Sequence, residues 1–360
     1  WEICVIFRMT HFAECLLALC RKIDTFSIMS SHSWSRRAFL ASSAALFSQA
    51  GTAAAQETPA PAAAPFRNPS IYRFNIGEIE AFSISDGHSL IRPAMGMMHP
   101  ESDRPVMQKI MEDNFERLDG IPLYVNILVL RKGKEVAIFD AGFGKGGNSN
   151  WGWFFDALDA INIKREDVTA AFLSHAHIDH IAGFVLNDAI AFPNAEFYCT
   201  QEELDFWFTK EPDFSKSKRD KGELPGLTRD NRKRFDILKP NTKTLKHGSS
   251  VWGGDITLEL APGHTAGHAI FRIQSKGESL LHIMDLAHHH LLMFENVNWT
   301  IAFDHDPELA VVTRKKVYAQ ALSEKTRLYG FHLPWPAIGH LGPKSADSYV
   351  WIPERYSWGS

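Results

Sequence analysis

Residues 174–183 read Ser-His-Ala-His-Ile-Asp-His-Ile-Ala-Gly and follow directly on the apolar run Ala170–Leu173. A strand that ends at Leu173 delivers His175, His177, Asp179 and His180 into a tight loop and the first turn of a helix. Four imidazole and carboxylate groups packed this closely share a site, and they are ligand types suited to zinc and its neighbours. A solvated polar loop would account for one histidine, not for this grouping.

Working outward, three further candidate ligands stand at turns or strand ends. Pro262-Gly263-His264-Thr265-Ala266-Gly267-His268 sets His264 in a turn tightened by two glycines. Asp285 follows the apolar run Leu280–Met284, and His340 follows Pro336-Ala337-Ile338-Gly339. Upstream, the strand Glu135–Phe139 leads into Asp140-Ala141-Gly142-Phe143-Gly144, a glycine-rich bend. Alternation over 71–76 and 79–85 predicts two strands, with a turn at Asp86-Gly87. Apolar spacing predicts helices over 104–118, 153–161 and 201–208. Residues 123–130 and 135–139 read as a hairpin, and 196–200, 256–260, 269–273 and 279–284 as strands. Asp306-Pro307-Glu308 opens a helix that runs to about Lys325, with an aspartate cap and proline at the first helical position. Residues 210–250 are charged and weakly periodic, the signature of a surface excursion or lid. Strands alternating with helices, and chemistry at strand ends, indicate an α/β domain with mixed sheets.

The first 69 residues read differently. Residues 1–28 lie ahead of Met29 and are expected to be upstream or non-native sequence. Residues 29–55 hold Arg36-Arg37, the apolar stretch Ala38–Phe47 and the small-residue site Ala53-Ala54-Ala55, the layout of a twin-arginine signal peptide. That layout implies the twin-arginine export machinery as a partner and a periplasmic or secreted protein. The apolar stretch is too short for a permanent membrane anchor. Residues 56–69 are a Pro/Ala-rich linker, and 70–360 form the domain. Without residues 1–55 the chain loses five of its 38 Lys/Arg and three of its 42 Asp/Glu, leaving a formal charge of −6. That mildly acidic balance argues against a nucleic-acid substrate. Of four cysteines only Cys199 lies in the domain, so no disulfide can form within it.

The order His-x-His-x-Asp-His, Gly-His-Thr-x-Gly-His, strand-terminal Asp, late Gly-His resembles the metallo-β-lactamase fold superfamily in its binuclear hydrolase branch. The resemblance covers roughly residues 70–355. Within the superfamily the likeness is to methyl parathion hydrolase-like exported enzymes. It rests on Ala191-Phe192-Pro193-Asn194-Ala195, Asp205-Phe206-Trp207, Arg314-Lys315-Lys316 and Pro336–His340. It implies a four-layer αββα sandwich of two mixed sheets and two divalent ions, zinc by default, with manganese, iron or cobalt as alternatives. By the resemblance His175, His177 and His264 hold one ion, Asp179, His180 and His340 the other, and Asp285 bridges them. Asp140 then has a supporting role outside the ligand set. Side chains two apart on an extended segment face the same way, which suits His175 and His177, and a carboxylate suits the bridging position.

The implied activity is hydrolysis of an ester-like bond, an organophosphate triester or aryl ester, by a hydroxide held between the ions. Asp179 is a candidate proton acceptor. His288, three residues after Asp285, stands where related lactonases carry a tyrosine, and is a candidate for polarising the scissile carbonyl. Trp207, Trp151 and Trp153 are candidate walls of an apolar pocket for a small-molecule substrate. A lactonase acting on N-acyl homoserine lactones is the alternative activity. A metal-binding protein without turnover is the alternative from another class, and an oligomer is compatible with the sequence.

Overall fold

The computed structural model describes residues 70–145 and 150–357. The expected upstream segment, signal peptide and linker lie outside the described residues. Two seven-stranded mixed sheets form the centre. The first runs in chain order through β1 (Ile71–Ile76), β2 (Ile79–Ile91), β3 (Ile121–Lys132), β4 (Glu135–Phe139), β5 (Ala170–Phe172), β6 (Glu196–Thr200) and β7 (Thr242–Leu245). The second holds β8 (Ser250–Val251), β9 (Ile256–Leu260), β10 (Ala269–Ser275), β11 (Glu278–His282), β12 (Arg327–Tyr329), β13 (Ile338–Ser345) and β14 (Ser348–Pro353). The seven α-helices among the described residues are α1 (Arg104–Asp113), α2 (Phe154–Ala160), α3 (Ile178–Ile181), α4 (Gln201–Phe208), α5 (Leu224–Leu238), α6 (Leu292–Glu295) and α7 (Pro307–Glu324).

Residue pattern decides where each strand lies. In β1, Tyr72, Phe74 and Ile76 are buried while Arg73 and Asn75 are exposed, the two-residue period of an edge strand with one face in the core. In β3, Val125 and Ile127–Leu130 are all fully buried, as expected of a strand covered on both faces. The two sheets meet through aromatic rings. Phe271 of β10 packs edge-on against Phe139 of β4 and Phe172 of β5, at centroid distances of 5.1 and 5.5 Å. Tyr329 of β12 shares a buried 2.9 Å hydrogen bond with Ser83 of β2. The helices cover the outer faces, completing the αββα sandwich: α2 packs on β2, and α7 on β13. Asp306 caps α7 as its spacing predicts, accepting from the Leu309 N–H, and the helix ends at Glu324. Among the described residues no helix is long and apolar enough to cross a membrane.

Parallel pairing of β4, β5 and β6 brings their C-terminal ends to one edge of the sandwich. In the second sheet the parallel pair β11 and β12 ends there too. The segments that follow β4, β5, β11 and β12 carry Asp140, the 174–183 cluster, Asp285 and His332. This is how residues far apart in sequence reach one place.

Two expectations need correction. Asp86-Gly87 is not a turn: β2 runs through it to Ile91, with a bulge between Ser85 and Gly87. The bulge turns the Asp86 side chain inward, where its carboxylate accepts from the backbone N–H groups of Phe143 (3.1 Å) and Phe154 (2.8 Å). Residues 210–250 are also not wholly irregular, since they contain the fifteen-residue α5 and β7. The buried apolar residues of α5 are only Phe235 and Leu238, beside the buried polar Asn231, so charge masks its period.

Asp86 gives a first testable consequence. Burial pushes its carboxyl up to about 7, against the pull of the backbone N–H donors. A carboxyl raised above its unfolded value contributes stability below about pH 4 that is lost as pH rises through about 7. Asp86→Asn is therefore expected to remove this slope, visible as a wild-type advantage that shrinks from pH 5 to pH 8 in urea unfolding. Asp86→Ala should cost about 2–4 kcal/mol, because the N–H groups of Phe154, buried, and Phe143, part-buried, lose their acceptor.

Candidate metal centre

The geometry groups the candidate ligands into two sets that share one carboxylate. His175, His177, His264 and Asp285 form the first, and Asp179, His180 and His332 the second. In the first set His177 Nδ1 lies 2.9 Å from His175 Nε2 and 2.9 Å from His264 Nε2, and those two are 3.2 Å apart. In the second, His332 Nε2 and His180 Nε2 lie 3.4 and 3.6 Å from Asp179 Oδ2. Asp285 Oδ2 stands between the sets. It is 3.2 Å from His264 Nε2 and His332 Nε2, 3.3 Å from His180 Nε2 and 3.6 Å from His175 Nε2.

The partners of the outward-facing nitrogens fix how these imidazoles present themselves. His180 Nδ1 lies 2.7 Å from Asp140 Oδ2, His264 Nδ1 2.8 Å from Asp304 Oδ1, and His332 Nδ1 2.6 Å from the Tyr124 carbonyl. His175 Nδ1 meets Ser174 Oγ, whose hydroxyl donates to Asp140 Oδ2. Each acceptor takes the Nδ1 proton and leaves the Nε2 lone pair aimed at the centre. His268 donates from Nδ1 to the Ala261 carbonyl and accepts the Asp285 N–H on Nε2, so it supports the bridging residue rather than joining the set. Asp140 lies beside the candidate ligands, its carboxylate against His180 Nδ1 and the Ser174 hydroxyl. Asp140 sits in left-handed backbone at φ 60°, as does Met284, next to Asp285, at φ 46°.

This arrangement fits a divalent cation. Three imidazole nitrogens meet at hydrogen-bond distance, yet the first-set rings of His175 and His264 already spend their protons elsewhere, so their facing lone pairs repel unless a cation lies among them. His180 Nε2 and Asp285 Oδ1 are buried with no hydrogen-bond partner among the described residues. Electrostatics point the same way. Burial opposes ionisation of Asp285, but His180, His332, His175 and His288 outweigh it and hold the carboxyl well below the usual carboxylate range. Burial drives His175 and His177 well below the ordinary imidazole value. Burial opposes protonation of His180, His264 and His332 as well, but Asp285 and their neighbouring aspartates outweigh it and raise all three. Carboxylates among imidazoles are the donor set of a divalent-metal site.

One ligand expected from the sequence is misplaced. His340 lies on β13, paired with Ile352 of β14, and belongs to none of the ligand groups. The Gly339 that precedes it serves strand packing, since a Cβ there would meet the Ile352 carbonyl oxygen at 2.4 Å. His332 stands in the site instead, in the segment that follows β12. Asn126 of β3 straps that segment by donating from Nδ2 to the carbonyls of Phe331 (2.8 Å) and Leu333 (2.7 Å). The signal was available in Leu328-Tyr329-Gly330-Phe331-His332, an apolar strand that ends in a ligand, as at Leu173 and Met284.

A cavity of about 120 Å³ opens over the centre. His177, Asp179, Asp285, His288 and His332 form its floor, Ile91, Leu123, Phe143, Ile178 and Phe303 its apolar walls, and Arg219 its cationic corner. His288 is buried, with Nε2 3.2 Å from Asp285 Oδ2, and burial pushes it down to about 4, so it is neutral at pH 7. Arg314, fully buried in α7, donates to the carbonyls of Leu286, Val297 and Trp299 and so fixes the segment that carries His288. The three tryptophans do not line the cavity. Trp207 is fully buried and donates its indole N–H to Glu203, and Trp151 packs on Phe143, 4.8 Å between centroids, behind the wall. Trp153 precedes α2. A larger groove of about 1170 Å³ beside α5 contains none of the ligand residues.

An αββα sandwich with this His/Asp centre at its strand ends belongs to the metal-dependent hydrolases. The family model of the metallo-beta-lactamase superfamily matches residues 120–332, ending on the candidate ligand His332, and the chain belongs to that superfamily. Among solved structures it is similar to AidC, a dizinc quorum-quenching lactonase in complex with a product, N-hexanoyl-L-homoserine. That likeness has 29% identity and a TM-score of 0.76, over 80% of this chain and 98% of that one. The hydrolase AbOPH of the beta lactamase superfamily is similar at 26% identity and a TM-score of 0.73, over 81% and 100%. A probable metal-dependent hydrolase from Staphylococcus aureus shares the fold at 18% identity and a TM-score of 0.59, over 79% and 100%. No curated protein matches the chain.

Proposed function

We propose that the protein is a binuclear, zinc-type hydrolase that opens an ester-like bond, with lactones that carry an acyl chain as the first substrate class. The observation that carries this reading is the cavity itself: five candidate ligand or proton-transfer groups on the floor, apolar walls above them, one arginine at the side. The likeness to a dizinc lactonase along nearly the whole of that protein supports it. Two ions would be held by His175, His177 and His264, and by Asp179, His180 and His332, with Asp285 common to both. When bound, such ions supply Lewis-acid polarisation of the scissile oxygen and lower the pKa of water toward about 7.

The chain's own groups do the rest. His288, neutral and facing the cavity, donates a hydrogen bond to the carbonyl or leaving oxygen, the task a tyrosine performs in related lactonases. Asp179, at the edge of the second set, accepts a proton on Oδ2 as water attacks. The walls exclude water and hold the acyl chain. Arg219, its guanidinium 5.1 Å over the Phe303 ring, holds the carbonyl oxygens of the substrate and the carboxylate of the product. The Arg36-Arg37 leader would export the folded protein.

The test is hydrolysis of a panel: an acyl homoserine lactone, an aryl ester, a dialkyl aryl phosphotriester and a chromogenic β-lactam. Lactone turnover that exceeds the rest and stops with chelator supports the reading. Phosphotriester turnover above lactone would assign the site to organophosphates instead, and turnover unaffected by chelator would sink both. Arg219→Met should raise the lactone KM about tenfold with little change in kcat, the loss of one charge-assisted hydrogen bond.

A further inference from the structure

The strongest unassigned feature is a buried anion outside the ligand set. Glu203, in the first turn of α4, is 1% exposed and has no cationic partner among the described residues. Its carboxylate instead accepts four hydrogen bonds. Oε1 takes the Ala176 N–H (2.9 Å) and the Trp207 indole N–H (2.8 Å). Oε2 takes the Thr265 hydroxyl (2.6 Å) and the Gly267 N–H (3.1 Å). All four are donors that can only, or here do, give a proton, so each oxygen is filled by two of them.

What those donors belong to gives the carboxylate its meaning. Ala176 is the residue between His175 and His177, and Thr265 follows His264. One side chain therefore ties together the two loops that bring the first ligand set into contact. Asn231 of α5 completes the clamp by donating from Nδ2 to the Ala176 carbonyl at 2.6 Å, so the N–H and the carbonyl of Ala176 are both held. Thr200 adds a third tie, donating to the Gly267 carbonyl at 2.7 Å. Gly267 is required for this approach, because a Cβ there would lie 2.2 Å from the Glu203 nitrogen. A lone buried charge is costly unless fully hydrogen-bonded, and a carboxylate placed for bulk stability alone could be replaced by an apolar side chain.

We infer that Glu203 is a positioning residue that sets the spacing of His175, His177 and His264, and with it the metal affinity of the first set. The inference rests on the reading that this set holds a metal. It acts through the loops: Glu203 touches neither ligand nitrogen nor substrate. Gln in its place presents one oxygen and one N–H₂, so one pair of donors faces another donor and the two loops lose their common acceptor.

The experiment is zinc affinity of wild type, Glu203→Gln and Thr265→Val, each as full-length protein, by competition with a chromophoric chelator, alongside urea unfolding of the metal-free forms. Glu203→Gln should weaken zinc about 10–100-fold, the range for groups that orient ligands from outside the set, and more than its loss of metal-free stability explains. Thr265→Val, which removes a single donor and leaves the carboxylate in place, should shift affinity the same way by a smaller factor, and serves if Glu203→Gln does not fold. Unchanged affinity in folded Glu203→Gln, or in Thr265→Val where the first variant does not fold, would overturn the inference while leaving the metal centre standing. Failure of the wild type to bind zinc would overturn the metal reading and this inference together.

Discussion

Replacing His332 with alanine is expected to lower turnover by about two to three orders of magnitude, while His340→Ala leaves it within about twofold. The contrast follows from position. His332 Nε2 lies 3.2 Å from Asp285 Oδ2 and 3.4 Å from Asp179 Oδ2, with Nδ1 anchored on the Tyr124 carbonyl. Its loss leaves the second set with Asp179, His180 and the shared Asp285. His340 sits in the β13–β14 ladder and touches no candidate ligand. Elemental analysis should show about one bound ion fewer per chain in His332→Ala and no change in His340→Ala. The reverse pattern would return the ligand to the position the sequence motif first indicated. Equal losses in both variants would instead mark a folding defect, which unfolding curves would reveal.

That pair of histidines shows where sequence stops being legible. The 174–183 cluster, His264 and Asp285 could be read because each stands in a local pattern, a strand end or a glycine turn, that needs little from elsewhere. His332 stands in an equally good local pattern, but a Gly-His eight residues later looks like a motif and competes with it. What separates them is long-range: Asn126 straps the 331–333 backbone, whereas Gly339 is there because Ile352 and Trp351 crowd it. Neither contact leaves a trace within ten residues of the histidine concerned.

The pocket was less legible than the ligands for the same reason. Aromatic residues near the motif could be found, but their direction could not. Trp207 points into the core because Glu203 claims its indole N–H, and the walls fall to Ile91, Leu123, Phe143, Ile178 and Phe303 from five separate segments. Arg219 comes from the 210–250 stretch, whose charge hid α5 and whose excursion carries it back to the centre. Asp86-Gly87, a turn by composition, became a bulge because β3 continues beside it as a partner through Ile91. In each case tertiary pairing overrode a correct local preference.

Asp285→Ala is expected to abolish turnover, by about a thousandfold or more, and to reduce bound zinc to one ion or fewer per chain. Its Oδ2 lies within 3.6 Å of nitrogens from five histidines, 175, 180, 264, 288 and 332, which include members of both sets. Without that oxygen the two groups of imidazoles have nothing in common to draw their cations together. Metal-free stability should change far less than metal affinity. The histidines Asp285 faces can stay neutral when the carboxylate goes, so its removal strands no buried charge, in contrast to breaking a fixed ion pair. Asp285→Asn keeps the size and one oxygen but not the charge, and should fall between, with at least a hundredfold loss of rate. Zinc content and urea unfolding of the metal-free protein, measured on both variants, separate the two effects. An alanine variant that still holds two ions and turns over within tenfold of wild type would show that the sets are not joined through this carboxylate.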